Sequence, residues 1–248
     1  MTSFKTKLNF KAELKMEKVE EDTLLYREGG FAYHVLTPTY RDEVLMVLSR
    51  AFCTEPVCSG IEEVKPEMKT NLHDWVEFVD YWMDHCSSNG MSVVALDEKK
   101  GRVAGSFIVR DLLMKPEGFE EKYSNDAYTL TPWMQFLWHM DAEATKKLPA
   151  LGEPGKAVDL WFLGVHPDYR GNRIATYLTK GVTMLTRRKG WKYATIEATS
   201  YFTSCAAKSN NFTAYYEIET KDWLWKGKPF YTHCKKPHGK WTFWVKDL

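Results

Sequence analysis

The stretch VDLWFLGVHPDYRGNRIATYL, from Val158 to Leu178, restricts the possible folds of this chain more than any other segment. It consists of an apolar run, a proline turn, a glycine flanked by two arginines, and apolar residues at helical spacing. When a strand passes directly into a helix, the first N–H groups of the helix lack partners, and together with the helix dipole they attract anions. The stretch therefore predicts a strand, a phosphate-binding turn and a helix.

Strands and helices alternate through the rest of the chain. Strands are predicted at 31–36, 158–165 and 193–198, as a hairpin within 91–111, and as two or three strands at the C-terminus. Helices are predicted from residue 37 and over 71–86, 174–188 and 203–209. This alternation, with antiparallel pairs at both ends, indicates an α/β sheet.

The length of 248 residues suits one large domain or two small ones, and we expect a single domain over 29–248. Residues 1–28 are rich in Lys and Glu, contain few apolar residues, and are predicted as a charged N-terminal extension. The segment 112–155 is a long connection with a helix predicted to begin at Thr131 and Pro132. Inserts of this length often form lids or pocket walls, so we expect this one to border a site.

Charge and cysteine content limit the partners and the compartment. The 34 Lys and Arg residues against 33 acidic residues give a net charge of +1, so no global field attracts nucleic acid or an anionic membrane. The five cysteines are odd in number without CxxC spacing, and no apolar signal segment begins the chain, which favours free thiols in the cytoplasm. No apolar run approaches the roughly 20 residues that span a bilayer, so a soluble protein is expected.

The turn within the opening stretch resembles the pyrophosphate loop of the GNAT superfamily of acetyl-CoA-dependent N-acetyltransferases. The family pattern is Gln or Arg, two residues, Gly, one residue, then Gly or Ala, and here Arg173 occupies the position of the central glycine. An ordinary α/β packing turn can have the same six residues, but a second match downstream favours coenzyme A. The resemblance implies acetyl-CoA as co-substrate, bound by strand and loop residues: Leu163, Val165, Arg170, Gly171, Asn172, Arg173, Ala175 and Thr176.

The downstream match is IEATSYFTSCAAKSNNF, which resembles the corresponding strand and helix of the insect-type arylalkylamine N-acetyltransferases. In those enzymes a pair of hydroxyl residues four positions apart precedes a helix that ends in Gly-Phe. The match puts the pair at Thr199 and Thr203, with Ser200 and Ser204 as alternatives one position along. Asn211 replaces the glycine, and asparagine is the next best tolerated residue at a left-handed helix end.

Two further stretches resemble the same family, which extends the match to roughly residues 31–248. AFCTEPV resembles the exit of its first helix, where a glutamate before proline is the general base, and KPHGKWTFWVK resembles its closing strand. The glutamate here is Glu55, which Pro56 excludes from helical geometry. A partly shielded carboxylate has a raised pKa and can take a proton from an ammonium directly or through water. The alternative is that Glu55 is a solvated loop acid.

Acetyl transfer also needs a polarised thioester carbonyl and a proton for the departing thiolate. The resemblance assigns the first role to the backbone N–H of Leu163, on a strand that splays from its neighbour, and it pairs the backbone of Val165 with the pantetheine arm. Many superfamily members protonate the thiolate with a tyrosine, but that position is Ala207 here. A hydroxyl such as that of Thr203, or water, is then required if any acid is needed.

The acceptor pocket is expected between the first two helices and the insert. Aromatic residues make up 15% of the chain, and they suit an apolar amine through stacking and cation–π contacts. The candidates are Phe52, Trp75, Trp133 and Trp138, each of which is equally suited to an ordinary core.

These observations predict a GNAT fold, an α/β architecture with a central mixed, mostly antiparallel sheet of about seven strands, splayed at the coenzyme strand and flanked by helices on both faces. The expected function is transfer of acetyl from acetyl-CoA to the primary amine of a small arylalkylamine by direct attack in a ternary complex. The alternatives are a polyamine, amino acid or protein lysine as acceptor, or coenzyme A binding without catalysis.

The expected partners follow from this interpretation. They are a small amine, with no nucleic acid and no membrane, and the protein is expected as a monomer or weak dimer. His166, His233 and His238 form no metal-spaced cluster with cysteine or acid, so no metal site is expected.

Overall fold

A sheet of eight strands runs through the part of the chain that the computed structural model describes, residues 23–232, 234 and 236–248. The ten described strands are β1 (Leu24–Glu28), β2 (Phe31–Val35), β3 (Val93–Asp97), β4 (Arg102–Asp111), β5 (Ala157–Val165), β6 (Tyr193–Ala198), β7 (Thr213–Glu219), β8 (Leu224–Trp225), β9 (Lys228–Pro229) and β10 (Lys240–Asp247). The sheet has the order β1-β2-β3-β4-β5-β6-β10-β7, and β8 and β9 form a separate pair. Only β5 and β6 are parallel, which confirms the mixed, mostly antiparallel prediction.

The sheet begins earlier in the chain than expected. β1 lies within 1–28, the segment predicted as a charged extension, yet it pairs antiparallel with β2. The reason is that the ring of Tyr26 stacks on that of Tyr33 with 4.9 Å between centroids, so this apolar contact brings residues 24–28 into the sheet. Residues 1–22 of the predicted extension lie outside the described residues.

Seven α-helices flank the sheet within the described residues. They are α1 (Arg41–Cys53), α2 (Pro56–Val64), α3 (Leu72–Cys86), α4 (Phe119–Ser124), α5 (Thr131–Lys147), α6 (Ile174–Arg188) and α7 (Tyr201–Ser209). No single helix in this part of the chain has the length and apolar character to cross a membrane. One bent pair of helices, Pro38–Cys53 with Val57–Val64, is long and apolar enough to do so, judged by length and composition only.

Local signals fixed most helix ends as predicted. Asn71 caps α3, because its side-chain oxygen accepts the N–H groups of His73 and Asp74 at 2.8 and 3.2 Å. The Asp74 carboxylate in turn accepts the backbone N–H of Asn71. Asn211 has φ 59°, the left-handed conformation predicted for it at the end of α7. The helix α2 was missed, because Pro56 not only ends α1 but also occupies the first position of a new helix.

The helices lie on both faces of the sheet, as predicted, and make two apolar cores. α1, α3 and α5 bury aromatic and aliphatic side chains against one face, among them Leu48, Trp82 and Phe136. α6 and α7 cover the other face with side chains such as Leu178 and Ala207. The coenzyme strand β5 predicted from sequence is therefore buried on both sides.

β5 and β6 separate after three paired residues. Ala157, Val158 and Asp159 pair with β6, and the pairing stops there. On its other edge β5 pairs with β4, but Ile108 faces Phe162 while Val109 faces Leu160, so Trp161 is the extra residue of a β-bulge. A bulge bends its strand and increases the local twist, which explains why the predicted splay starts at this point.

A buried ion pair marks the point of separation. Arg110 Nε donates to Asp159 Oδ2 at 2.9 Å, Nη2 lies 2.7 Å from the same oxygen, and both side chains are almost fully buried. The same guanidinium packs against two indoles that also contact each other, 4.9 Å from the ring centre of Trp82 and 4.0 Å from that of Trp161. The ion pair thus connects α3, β4 and the bulge in β5.

Replacement of Arg110 by methionine is expected to lower the free energy of unfolding by about 3–5 kcal/mol, because Asp159 then stays buried without its cation. The matched control is Arg27→Met, which breaks an exposed pair with Glu98 and should cost about 0–1 kcal/mol. Urea unfolding of both variants measures the difference. Equal losses would show that burial adds nothing to the Arg110 pair.

Gly164 allows α1 to pack directly on β5. A Cβ at this position would lie 2.8 Å from Leu48 Cδ2 and 3.1 Å from Ala51 Cβ. We expect Gly164→Ala to cost about 1–3 kcal/mol through overpacking. At Gly239 the nearest atom to an added Cβ is 3.9 Å away, so Gly239→Ala should change stability by less than about 1 kcal/mol. Thermal unfolding of the two variants tests the contact; equal stability would contradict it.

Candidate active site

A small cavity of about 30 Å³ opens where β5 and β6 separate. All four residues assigned to catalysis from the sequence line it, although they come from three separate segments: Glu55, Leu163, Thr199 and Thr203. The splayed strands, the exit of α1 and the start of α7 therefore converge on one point.

Glu55 lies between α1 and α2 in an extended conformation, with φ −75° and ψ 151°. Its Oε2 is buried and has no hydrogen-bond partner among the described residues. Burial raises the pKa of Glu55 to about 7, against the opposing effect of the positive charge of Arg170. Arg170 is anchored nearby, since its Nη2 donates to Thr54 Oγ1 at 3.3 Å. A carboxyl with this pKa can accept a proton at neutral pH.

The hydroxyl residues at the start of α7 have distinct positions. Thr199 and Thr203 line the cavity. Ser200 instead caps the helix by accepting the N–H of Thr203 at 3.3 Å, and its hydroxyl lies 3.3 Å from Thr203 Oγ1. Ser204 accepts the indole N–H of Trp244 at 3.2 Å. The pair from the ungapped sequence match is thus the one at the cavity, and the alternative pair has structural partners.

Leu163 and Val165 lie on the part of β5 that β6 no longer accompanies. On one edge they pair with Phe107 and Gly105 of β4. On the other edge β6 provides no pairing residue for them within the described residues. Backbone groups on an open strand edge can pair with an extended ligand in the manner of an added strand.

The turn after β5 contains two left-handed residues, Gly171 with φ 85° and Arg173 with φ 59°. This conformation is free for glycine but costs about 1–2 kcal/mol for a residue with a Cβ, so the turn retains a glycine-like shape in spite of Arg173. The Arg173 side chain is exposed, with its guanidinium 5.8 Å from the ring centre of Tyr177. The substitution of the central glycine therefore leaves the loop geometry intact.

α6 begins directly after this turn. Asn172 Nδ2 donates to the carbonyl of Tyr169 at 3.0 Å, which holds the turn in place. The N–H groups of Ala175 and Thr176 belong to the first turn of the helix and have no partner within it. The arrangement is that of an anion-binding helix start.

The aromatic candidates for the acceptor pocket separate into three groups. Phe52 and Trp133 line the cavity. Trp75 does not; it is fully buried and packs on both of these rings with centroids 5.1 and 5.2 Å away, so it belongs to the core behind them. Trp138 lines a different cavity on the outer side of α5. The predictions for Trp75 and Trp138 were wrong for the same reason, since residue spacing does not show which side of a helix meets a ligand.

Two cavity residues were not predicted, Trp161 and Glu197. Trp161 is the bulge residue of β5. Glu197 is an acid between Ile196 and Ala198 on a buried strand, and an acid within an apolar run is the signal that could have revealed it. Burial, followed by the nearby Asp141 and Asp159, raises the pKa of Glu197 well above its ordinary value.

Comparison with known proteins identifies the fold. No protein-family model matches the chain, and no curated protein matches it in sequence. Among solved structures, the C-terminal condensation domain of Ebony in complex with beta-alanyl-dopamine aligns with a TM-score of 0.73 at 13% identity, over 88% of this chain and 99% of that chain. Mosquito arylalkylamine N-acetyltransferase like 5b aligns with a TM-score of 0.70 at 20% identity, over 88% and 100%.

The polyamine N-acetyltransferase of Drosophila melanogaster, which forms N-acetylagmatine, aligns with a TM-score of 0.67 at 18% identity, again over 88% of this chain and 100% of that chain. The architecture expected from the pyrophosphate-loop resemblance is thereby confirmed. At these identities the likeness concerns the fold alone, and the chain has the GNAT fold that these acetyltransferases share.

Proposed function

We propose that this protein transfers acetyl from acetyl-CoA to the primary amine of a small arylalkylamine. The observation that carries the proposal is Glu55, a buried carboxyl with a pKa of about 7 in the same cavity as the open edge of β5. Such a group can deprotonate an ammonium at the point where a coenzyme lying along β5 would present its thioester. Structural neighbours named as N-acetyltransferases support this reaction class.

The coenzyme site extends from the strand to the helix. The amides of the turn, from Gly171 to Thr176, would hold the pyrophosphate with the help of the helix dipole. The backbone of Val165 would pair with the pantetheine arm, and the N–H of Leu163 would stabilise the oxyanion of the tetrahedral intermediate. Arg170 and Arg173 add positive charge on either side of Gly171.

The acceptor site lies on the opposite wall. Phe52, Trp133 and Trp161 give it an aromatic lining that suits an arylalkyl group and a cationic amine. Once Glu55 has taken a proton from the ammonium, the neutral amine attacks the thioester carbonyl directly in a ternary complex. Thr199 and Thr203 supply hydroxyls at the same place.

A second acceptor class is favoured by one observation. Two carboxyl groups, Glu55 and Glu197, line the cavity, and a diamine carries two cations. Neighbours of the same fold include an agmatine and a polyamine acetyltransferase. A panel of arylalkylamines and diamines, compared by kcat/KM, separates the two classes.

Thiol release from acetyl-CoA should depend on added arylalkylamine, and Glu55→Gln should lower kcat/KM about 100-fold at neutral pH, because glutamine cannot accept the proton. In the unchanged protein kcat/KM should rise with pH through about 7, since Glu55 acts when deprotonated. Coenzyme binding measured by calorimetry is the control for folding. Coenzyme binding without turnover of any amine would favour a non-catalytic binding protein, and an unchanged rate in the variant would remove Glu55 from the base role.

The pH at which kcat/KM rises on the acid side of its pH profile, the acid limb, provides a separate test. The charge of Arg170 lowers the pKa of Glu55, so Arg170→Met should raise that pKa and move the acid limb of kcat/KM to higher pH at saturating acetyl-CoA. Arg173→Met removes an equal charge from the same turn, but its side chain lies toward Tyr177, and the limb should stay in place. An identical shift in both variants would mean that the turn acts only through net charge.

A further inference from the structure

Glu197 places a second carboxyl in the proposed active-site cavity. Both of its oxygens are buried, and no described N–H or O–H group donates to either one. Its side chain neighbours the carboxyl of Asp141 on α5, whose Oδ1 is also buried without a partner among the described residues, and two neighbouring buried carboxyls do not both ionise, so one of them holds a proton. Glu197 is therefore neither solvated nor neutralised by a cation.

The charges around Glu197 keep this proton in place. The charged groups nearest to Glu197 are Asp141 on α5, Asp159 on β5 and Arg110 on β4. Lys115, in the insert, lowers the pKa of Asp141 by its positive charge. Arg110 is already paired with Asp159 through one hydrogen bond and a further ion-pair contact. Three buried carboxyls thus share one buried guanidinium, and full ionisation would leave uncompensated negative charge in a region of low dielectric.

For the proton donor to the thiolate, the sequence leaves several candidates open: the hydroxyls of Thr203, Tyr215 and Tyr216, or water. Ala207 stands where many relatives of this fold class have a tyrosine, and it is fully buried in the core on the α6 side of the sheet. Tyr216 does not replace it, because its hydroxyl is bound to His139 Nε2 at 2.9 Å. Glu197 is located in the cavity beside Leu163 and Thr203.

We propose that Glu197 is the proton donor to the departing thiolate, and this inference rests on the acetyl transfer proposed above. Two carboxyls in one cavity with different environments can divide acid and base roles between them. Glu55 faces Arg170 at the entrance and accepts a proton, whereas Glu197 lies among other acids and holds one.

The proton balance is complete. The ammonium loses two protons as it becomes the amide: Glu55 takes one before the attack and passes it to solvent, and Glu55 then takes the other from the nitrogen as the intermediate collapses and passes it to solvent as well. The C–S bond breaks with its electron pair on sulfur, and sulfur receives the Glu197 proton. Glu197 then regains a proton, so acetyl transfer releases one proton and free coenzyme A.

Asp141 provides the route by which Glu197 is reprotonated. It lines a second, open cavity of about 620 Å³ on the outer side of α5, together with Trp138 and Lys146. Asp141 thus touches Glu197 on one side and an open space on the other. It acts through Glu197 and is a positioning residue, whose removal should alter the proton affinity of Glu197.

The test is the alkaline limb of the pH profile of kcat, measured as thiol release from acetyl-CoA with a saturating arylalkylamine. In the unchanged protein kcat should fall at alkaline pH as Glu197 loses its proton. Glu197→Gln should lower kcat about 100-fold and abolish that limb. Asp141→Asn removes a charge that raises the pKa of Glu197, so the limb should move to lower pH. The matched control is Glu143→Gln on the same helix, which should leave the limb unchanged.

The outcomes separate this inference from the proposed function. If no amine supports thiol release by the unchanged protein, the proposed function fails. If the unchanged protein is active and Glu55→Gln is impaired, but neither Glu197→Gln nor Asp141→Asn moves the alkaline limb, the role of Glu197 is wrong and the function stands. A rise in KM for diamines alone in Glu197→Gln would identify a cation-binding residue and would also overturn the inference. Coenzyme binding by calorimetry confirms that both variants are folded.

Discussion

The buried ion pair of Arg110 and Asp159 is the interaction on which the site depends. Asp159 is the last residue of β5 that pairs with β6, and the guanidinium that neutralises it packs against the indoles of Trp82 and Trp161. A carboxylate at this depth requires a cation, and the cation is positioned by stacking on the bulge residue. The pair therefore fixes where the strands stop pairing and where the cavity opens.

Two functional properties follow from the separation of the strands. The part of β5 beyond Asp159 keeps an unpaired edge that an extended ligand can use, and Glu197, on the part of β6 beyond the paired residues, lines the resulting space. Because Arg110 is committed to Asp159, it cannot also neutralise Glu197 and Asp141. The ion pair thus acts on the proton affinity of Glu197, whereas that of Glu55 depends on burial and on the charge of Arg170.

The cavity residues differ in how far the sequence could identify them. Glu55, Leu163, Thr199 and Thr203 were identified because the short segments that contain them resemble a known family, and the structure brings all four together at one cavity. Trp161 has no signal in the sequence, and Glu197 is marked only as an acid within an apolar run. Strand alternation assigns Glu197 to one face, but the groups that it meets there come from α5 and β5, which are distant in sequence.

The sequence by itself determined most of the strands and helices, the left-handed end of α7 at Asn211 and the turn before α6, because each depends on short-range backbone preferences. Only the tertiary structure decided that residues 24–28 join the sheet, that Trp75 is core while Trp133 lines the cavity, and that three acids share the guanidinium of Arg110. The physical reason is that burial and charge compensation are properties of packed neighbours, and packing joins segments that no local pattern relates.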